Sequence, residues 1–132
     1  GDFAEKGKEE VELKDVVYEL RLLVISVSYP FPLQLTDSTL PHVLVLADRF
    51  QMQQVLVQSE EYLVKTTKFS KALKLHLSDQ YRLEGLKYKC LLGFHSVADI
   101  ISLESTPEYA QFSDKLKAAI LDRAMKIGKP AN

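Results

Sequence analysis

Cysteine is almost absent from this sequence: Cys90 is the only one in 132 residues. No disulfide can close within the chain, so the fold must rest on buried apolar surface, in keeping with a reducing compartment. Long apolar runs are missing too. The best stretch, LRLLVISVSYPFPL, is interrupted by Arg21, Pro30 and Pro32 and falls short of the ~18 residues that span a bilayer. The opening GDFAEKGKEE is charged rather than apolar, unlike a secretory leader. Neither sign of charge dominates. Seventeen Lys and Arg stand against eighteen Asp and Glu, a net charge of -1, which gives no general pull toward nucleic acid or an anionic membrane. A glycine-rich phosphate loop, a Walker pattern and an H-E-x-x-H pair are all lacking. The chain reads as cytosolic or nuclear.

What is present is an ordinary globular balance, 46% hydrophobic and 27% charged. A chain of this length can bury roughly 68% of its unfolded surface and needs no staples. After the polar turn KGKE, the segment EVELKDV alternates Val11 and Leu13 with Glu10, Glu12 and Lys14, the period of a half-buried strand. From Asp15 the period becomes helical, through Tyr18, Leu22, Ile25 and Tyr29, and Pro30 ends it, although the β-branched residues of the segment also admit a strand. Cap-type residues Thr36, Asp37, Ser38 and Thr39, with Pro41 behind them, predict a helix through Phe50. Its inward residues would be Val43, Leu44, Leu46, Ala47 and Phe50. QMQQ is a break, and a second helix would turn Val55, Leu56, Ser59, Tyr62 and Leu63 inward.

That two-helix phrase is then written again, 31 residues on. LADRFQM at 46–52 returns as LSDQYRL at 77–83. Leu44 answers to Leu75, Leu46 to Leu77, Val55 to Leu86, Ser59 to Cys90 and Leu63 to Phe94. Intervening positions differ freely, such as Arg49 against Gln80 and Gln54 against Gly85. Matching cores with drifting surfaces point to repeated packing rather than repeated chemistry. The Asp before each aromatic, Asp48 and Asp79, is expected to serve the turn between the helices. Beyond the repeat, Ser96 is a cap for Val97, Ile100, Ile101 and Leu103. Thr106-Pro107 would open a last helix carrying Phe112, Leu116, Ile120 and Met125 inward, with Gly128 as its stop. The final KPAN should fray.

Candidate chemistry is thin. His42, His76 and His95 lie in different elements with no ligand neighbour at metal spacing, whereas a zinc site needs three or four convergent ligands. Cys90, with a histidine and Asp99, could be drawn as a nucleophile triad, but it falls at an inward position of the repeat, where a free cysteine acts as a small hydrophobe. Glu9, Glu10 and Glu12 lie on one short segment whose neighbours face opposite ways and make a poor acid–base pair. We assign no catalytic, metal or cofactor residue. Phe3 is different: it is apolar within a charged segment, either an anchor into the chain's own core or an anchor for a partner, with Glu5 beside it.

Taken in order, the charged loop, the EVELKDV strand, the helix ending in Tyr-Pro and LADRFQMQQVLVQSEEYLV resemble the second half of a BTB/POZ domain, most closely that of the nematode MATH–BTB proteins. Leu46, Ala47, Asp48, Phe50, Ser59, Glu60, Tyr62 and Leu63 stand where that family places its L-A-D-x-[FY] helix and the helix after it. The second copy resembles the 3-box, or the start of a BACK domain, that follows BTB in cullin adaptors. The resemblance implies a mainly α fold, a BTB/POZ-like α/β remnant with one strand followed by stacked helical hairpins. Residues 1–67 would be the BTB half and 68–132 the helical extension. It further implies a cullin-3 ubiquitin-ligase adaptor without a substrate-binding domain, in which Phe3 enters an apolar groove on the cullin and Glu5 supports it. The alternative reading is a structural oligomerisation module, or a reduced BTB relative with no cullin binding, whose partner is a second copy or another BTB chain.

Overall fold

The computed structural model describes residues 35–65 and 68–129. The expected strand at 10–14, the helix from Asp15, the anchor residues Phe3 and Glu5 and the frayed end lie outside these. Every regular element among the described residues is helical. They are α1 (Leu40–Arg49), α2 (Gln53–Lys65), α3 (Lys71–Gln80), α4 (Glu84–Leu92), α5 (Val97–Ile101), two 3-10 turns (Ser102–Ser105 and Pro107–Gln111) and α6 (Asp114–Gly128). The chain divides into two compact units, Gly1–Ser59 and Glu60–Asn132, with the division inside α2.

The repeat is real in the backbone. At the end of α1, the Met52 N–H bonds the carbonyl of Ala47 at 2.8 Å and the Gln51 N–H bonds that of Asp48 at 3.3 Å. At the end of α3, the Leu83 N–H bonds the carbonyl of Ser78 at 2.9 Å. Both turns place a non-glycine residue in the left-handed region, Gln51 at φ 56° and Arg82 at φ 57°. Such a turn satisfies carbonyls that the last helical turn leaves unpaired, and it brings an apolar residue (Met52, Leu83) back against the helix it closes. The paired phrase is therefore a helix stop made twice. Leu44 and Leu75 are both wholly buried, as are Val55 and Leu86 apart from about one part in a hundred. The Ser59 hydroxyl, buried at the position of Cys90, donates to the Val55 carbonyl at 2.8 Å, and Ser78 donates to Leu75 at 2.7 Å. These bonds are what allow a hydroxyl into the core.

Within the second unit, α3 and α4 close as a helical hairpin, the second 3-10 turn lies on α3, and α6 lies on α4 and α5. Leu63, Leu75, Leu86 and Leu116 are its most enclosed apolar side chains. Four residues expected inward are not. Phe50 is 43% exposed while its counterpart Tyr81 is 8% exposed; Phe50 stands at the C-cap of α1 with the Arg49 guanidinium 6.0 Å from its ring. Val97, Ile101 and Met125 are also exposed: α5 has only five residues and turns one row, through Ile100, to the core, and Met125 lies on α6 away from the buried Leu116 and Ile120. Nor does the last helix start at Thr106. The chain makes a 3-10 turn there, straightens at Phe112 and restarts at Ser113, whose hydroxyl accepts the Leu116 N–H at 3.1 Å. Gly128 is the last residue of α6 rather than the residue beyond it.

Candidate interaction surface

The polar side chains of the second unit mostly hold helix ends. The first residues of α4 have no local side-chain cap, because the N-cap residue is Leu83. The missing acceptor comes from α2: Glu60 Oε2 takes the Leu86 N–H at 3.3 Å. A carboxylate at a helix N-terminus both satisfies an orphan amide and meets the positive end of the dipole. Gly85 makes the room, since a Cβ there would lie 3.3 Å from Glu60 Oε1. At the other end of α4, Lys71 Nζ donates to the Gly93 carbonyl at 2.8 Å and lies 4.8 Å from the Phe94 ring centre. Arg123 of α6 donates to the Phe94 carbonyl at 2.9 Å. Two cations thus meet the negative end of the same helix.

Glu60 and Gly85 give a testable coupling. Glu60→Ala should cost about 1 kcal/mol. Gly85→Ala alone should be close to neutral, because a helix-propensity gain of up to ~1 kcal/mol is offset by displacement of the carboxylate. In the Glu60→Ala background the same change should stabilise. Additive urea-unfolding energies in the four-member cycle would show that the two residues do not share this space.

Asp79 does not serve its own turn. Its carboxylate reaches 34 residues down the chain, accepting the Ser113 N–H at 2.9 Å and the Ser113 hydroxyl at 2.6 Å. The expected turn role is corrected to a clamp between the end of α3 and the start of α6. A shallow cleft of about 320 Å³ lies beside Glu60, lined by Glu61, Val64, Lys65, Gly85 and Lys89. It carries both signs of charge, and its deepest carboxylate is already engaged by α4.

His42 and His95 are exposed and His76 is half-buried. Among the described residues no group of three His, Cys, Asp or Glu converges to hold a metal ion. The Cys90 thiol is buried, and burial pushes its pKa up against the opposing pull of Lys74 and Lys71. A thiol so shifted is largely protonated at neutral pH, the wrong form for a nucleophile. No helix among the described residues is long and apolar enough to cross a membrane. Tyr88, Leu92, Val97, Ile101, Leu121 and Met125 are large apolar side chains exposed on α4, α5 and α6. Sequence reading placed Phe3 and Glu5 at the site, gave Asp79 a turn role, and assigned no contact to Glu60 or Lys71. Only Glu60 carried a signal, since Leu83 is a poor cap residue and leaves α4 in need of an acceptor.

Known proteins match the chain over most of its length. The family model for the BTB/POZ domain matches residues 1–67. BTB and MATH domain-containing protein 38 of Caenorhabditis elegans is 34% identical over 126 residues, covering 96% of this chain and 33% of the relative. BTB and MATH domain-containing protein 36 of the same organism is 28% identical over 126 residues, covering 96% of this chain and 39% of the relative. BTB and MATH domain-containing protein 39 of Caenorhabditis briggsae is 25% identical over 121 residues, 92% of this chain and 36% of the relative. The chain therefore spans between a third and two fifths of these relatives. No solved structure matches it.

Proposed function

Because the chain belongs to the BTB/POZ family, a family of protein-interaction domains, we propose that it is the adaptor part of a cullin-3 ubiquitin ligase. In this reading Phe3 is the anchor in an apolar groove of the cullin and Glu5 the polar contact beside it. The observation that carries the proposal is the φ-x-E pattern Phe3-Ala4-Glu5, φ being apolar, placed before the EVELKD segment and inside the span that the family model matches. An aromatic set in a charged segment is the kind of residue that dominates a binding energy. The helical second unit, residues 60 onward, would widen the surface offered to the cullin. It contributes packing rather than chemistry, and we assign the chain no catalytic step.

The test is calorimetric titration of the whole chain with the N-terminal domain of cullin-3. Phe3→Ala should weaken binding at least tenfold, as expected where truncation of an interface anchor costs upward of about 1.4 kcal/mol, and Glu5→Ala by a smaller factor. Circular dichroism of each variant should stay that of the parent. A folded parent chain that shows no heat of binding would sink the adaptor reading.

A further inference from the structure

The step Thr106-Pro107 promised a helix start and is not used as one. Of the five prolines in the chain, Pro107 alone follows a hydroxyl-bearing aliphatic residue; the others follow Tyr29, Phe31, Leu40 and Lys129. A proline ring disfavours the helical region for the residue before it. Thr106 is accordingly extended, at φ -85° and ψ 147°, between the two 3-10 turns. Its surroundings are open: Glu104, Ser105, Pro107 and Ala110 are exposed, and Thr106 itself is half-buried. The Thr106 hydroxyl donates to the Leu103 carbonyl at 2.6 Å, and the Thr106 N–H donates to the same carbonyl at 3.0 Å. The carbonyl therefore keeps a partner if the hydroxyl leaves it. Nor does that hydroxyl cap the second turn. It is a spare group on an extended stretch, flanked by 3-10 turns whose hydrogen bonds are poorly aligned.

We propose that Thr106 is a phosphorylation site for a proline-directed protein kinase, and that the phosphate loosens the connection between α5 and α6. A kinase reads its acceptor in an extended chain, and one whose next pocket takes proline asks for no N–H there. Thr106-Pro107 already has that shape, so only the short turns beside it must unwind. In the reaction the Thr106 oxygen attacks the γ-phosphorus of ATP. The bond from that phosphorus to the bridging oxygen breaks, ADP leaves, and the hydroxyl proton passes to the kinase's catalytic carboxylate. The product carries about two negative charges at neutral pH and has lost its donor. It stands two residues from Glu104 and two from Glu108, where like charges repel. Leu103 and Phe112 anchor this connection in the core. Between them the turns are held by the N–H groups of Thr106, Tyr109 and Phe112, at 3.0, 3.3 and 3.1 Å from their acceptors. Ser113, just beyond, is tied to Asp79, so the loosening should stop there. The site is separate from Phe3 and Glu5, and the proposal stands or falls independently of cullin binding.

The test is incubation of the whole chain with ATP and purified kinases of the cyclin-dependent and mitogen-activated classes, read by intact mass and by fragmentation. One phosphoryl group per chain is expected, on Thr106. Pro107→Ala should slow its incorporation at least tenfold and Thr106→Val should abolish it, with the circular dichroism of both variants that of the parent. In hydrogen exchange the phosphorylated chain should open the Thr106, Tyr109 and Phe112 amides at least tenfold faster, while α3 and α4 keep their protection. Thr106→Val should move these amides far less, because it removes the hydroxyl without adding charge. No incorporation by either kinase class would overturn the proposal. So would phosphate found on Ser105 or another residue, or incorporation that ignores Pro107→Ala. Exchange unchanged by phosphorylation would overturn the loosening.

Discussion

Leu75→Ala is expected to destabilise the chain by about 3–4 kcal/mol, the range for truncating an enclosed leucine in a core that cannot collapse around the gap. Leu75 has no exposed surface and lies on α3, which packs against α4 along the hairpin. The loss combines the transfer energy of the removed atoms with the cavity they leave. Its neighbours are held at both ends of α4, by Glu60 at one and by Lys71 and Arg123 at the other. They are thus poorly placed to move in. Against a typical total of about 5–15 kcal/mol, a loss of this size should appear as a large fall in the urea midpoint at unchanged slope. Leu44→Ala, at the matching and equally enclosed position of the first copy, should cost a similar amount. Val45→Ala, half exposed on the same helix, should change stability by no more than about 0.5 kcal/mol. A Leu75 effect as small as that of Val45 would mean that the repeat positions do not form the core.

These positions were legible because period and repetition agreed. An apolar residue that recurs at helical spacing, and again 31 residues later, has two independent reasons to be inside. Leu44 with Leu75, Leu46 with Leu77 and Val55 with Leu86 are all buried. Where only the period was present the outcome was mixed: Phe112, Leu116 and Ile120 are buried as expected, whereas Val97 and Ile101 are not. Met125 continues the apolar pattern of the last helix but has no counterpart in the repeat, and it faces outward. Phe50 has its counterpart in Tyr81, yet an aromatic at a helix C-cap can be turned either way by what surrounds it, and the two copies differ. The turns were marked by their apolar closing residues, Met52 and Leu83. Their left-handed residues carried no mark, because Gln51 and Arg82 stand where glycine would have announced the conformation. The break at Phe112–Ser113 was missed because Thr106-Pro107 is a good helix start in itself; a 3-10 turn used it instead. The proposed cullin contact rests on the family resemblance, since a short φ-x-E pattern fixes no geometry of its own; the residues alone marked only Phe3, as an apolar side chain in a charged segment.

Asp79→Ala is the second large effect, and it tests a link that the sequence conceals. One carboxylate accepts both the backbone N–H and the hydroxyl of Ser113, at 2.9 and 2.6 Å. Ser113 in turn caps α6 by accepting the Leu116 N–H. Removing the carboxylate leaves the cap hydroxyl free to rotate and unties the start of α6 from the end of α3. Hydrogen bonds to a charged acceptor are worth about 1.5–3 kcal/mol each when shielded. This pair is open to solvent, so the combined loss should be nearer 2 kcal/mol than the sum. Asp79→Asn should recover part of it, because an amide oxygen can accept one of the two bonds but carries no charge. Ser113→Ala should cost a similar amount, since it keeps the backbone N–H bond to Asp79 but loses the cap of α6. The loss should also be local: in hydrogen exchange the first amides of α6, Leu116 among them, should open faster, while those of α4 keep their protection. Equal acceleration throughout the second unit would show that Asp79 supports the whole fold rather than the α3–α6 junction.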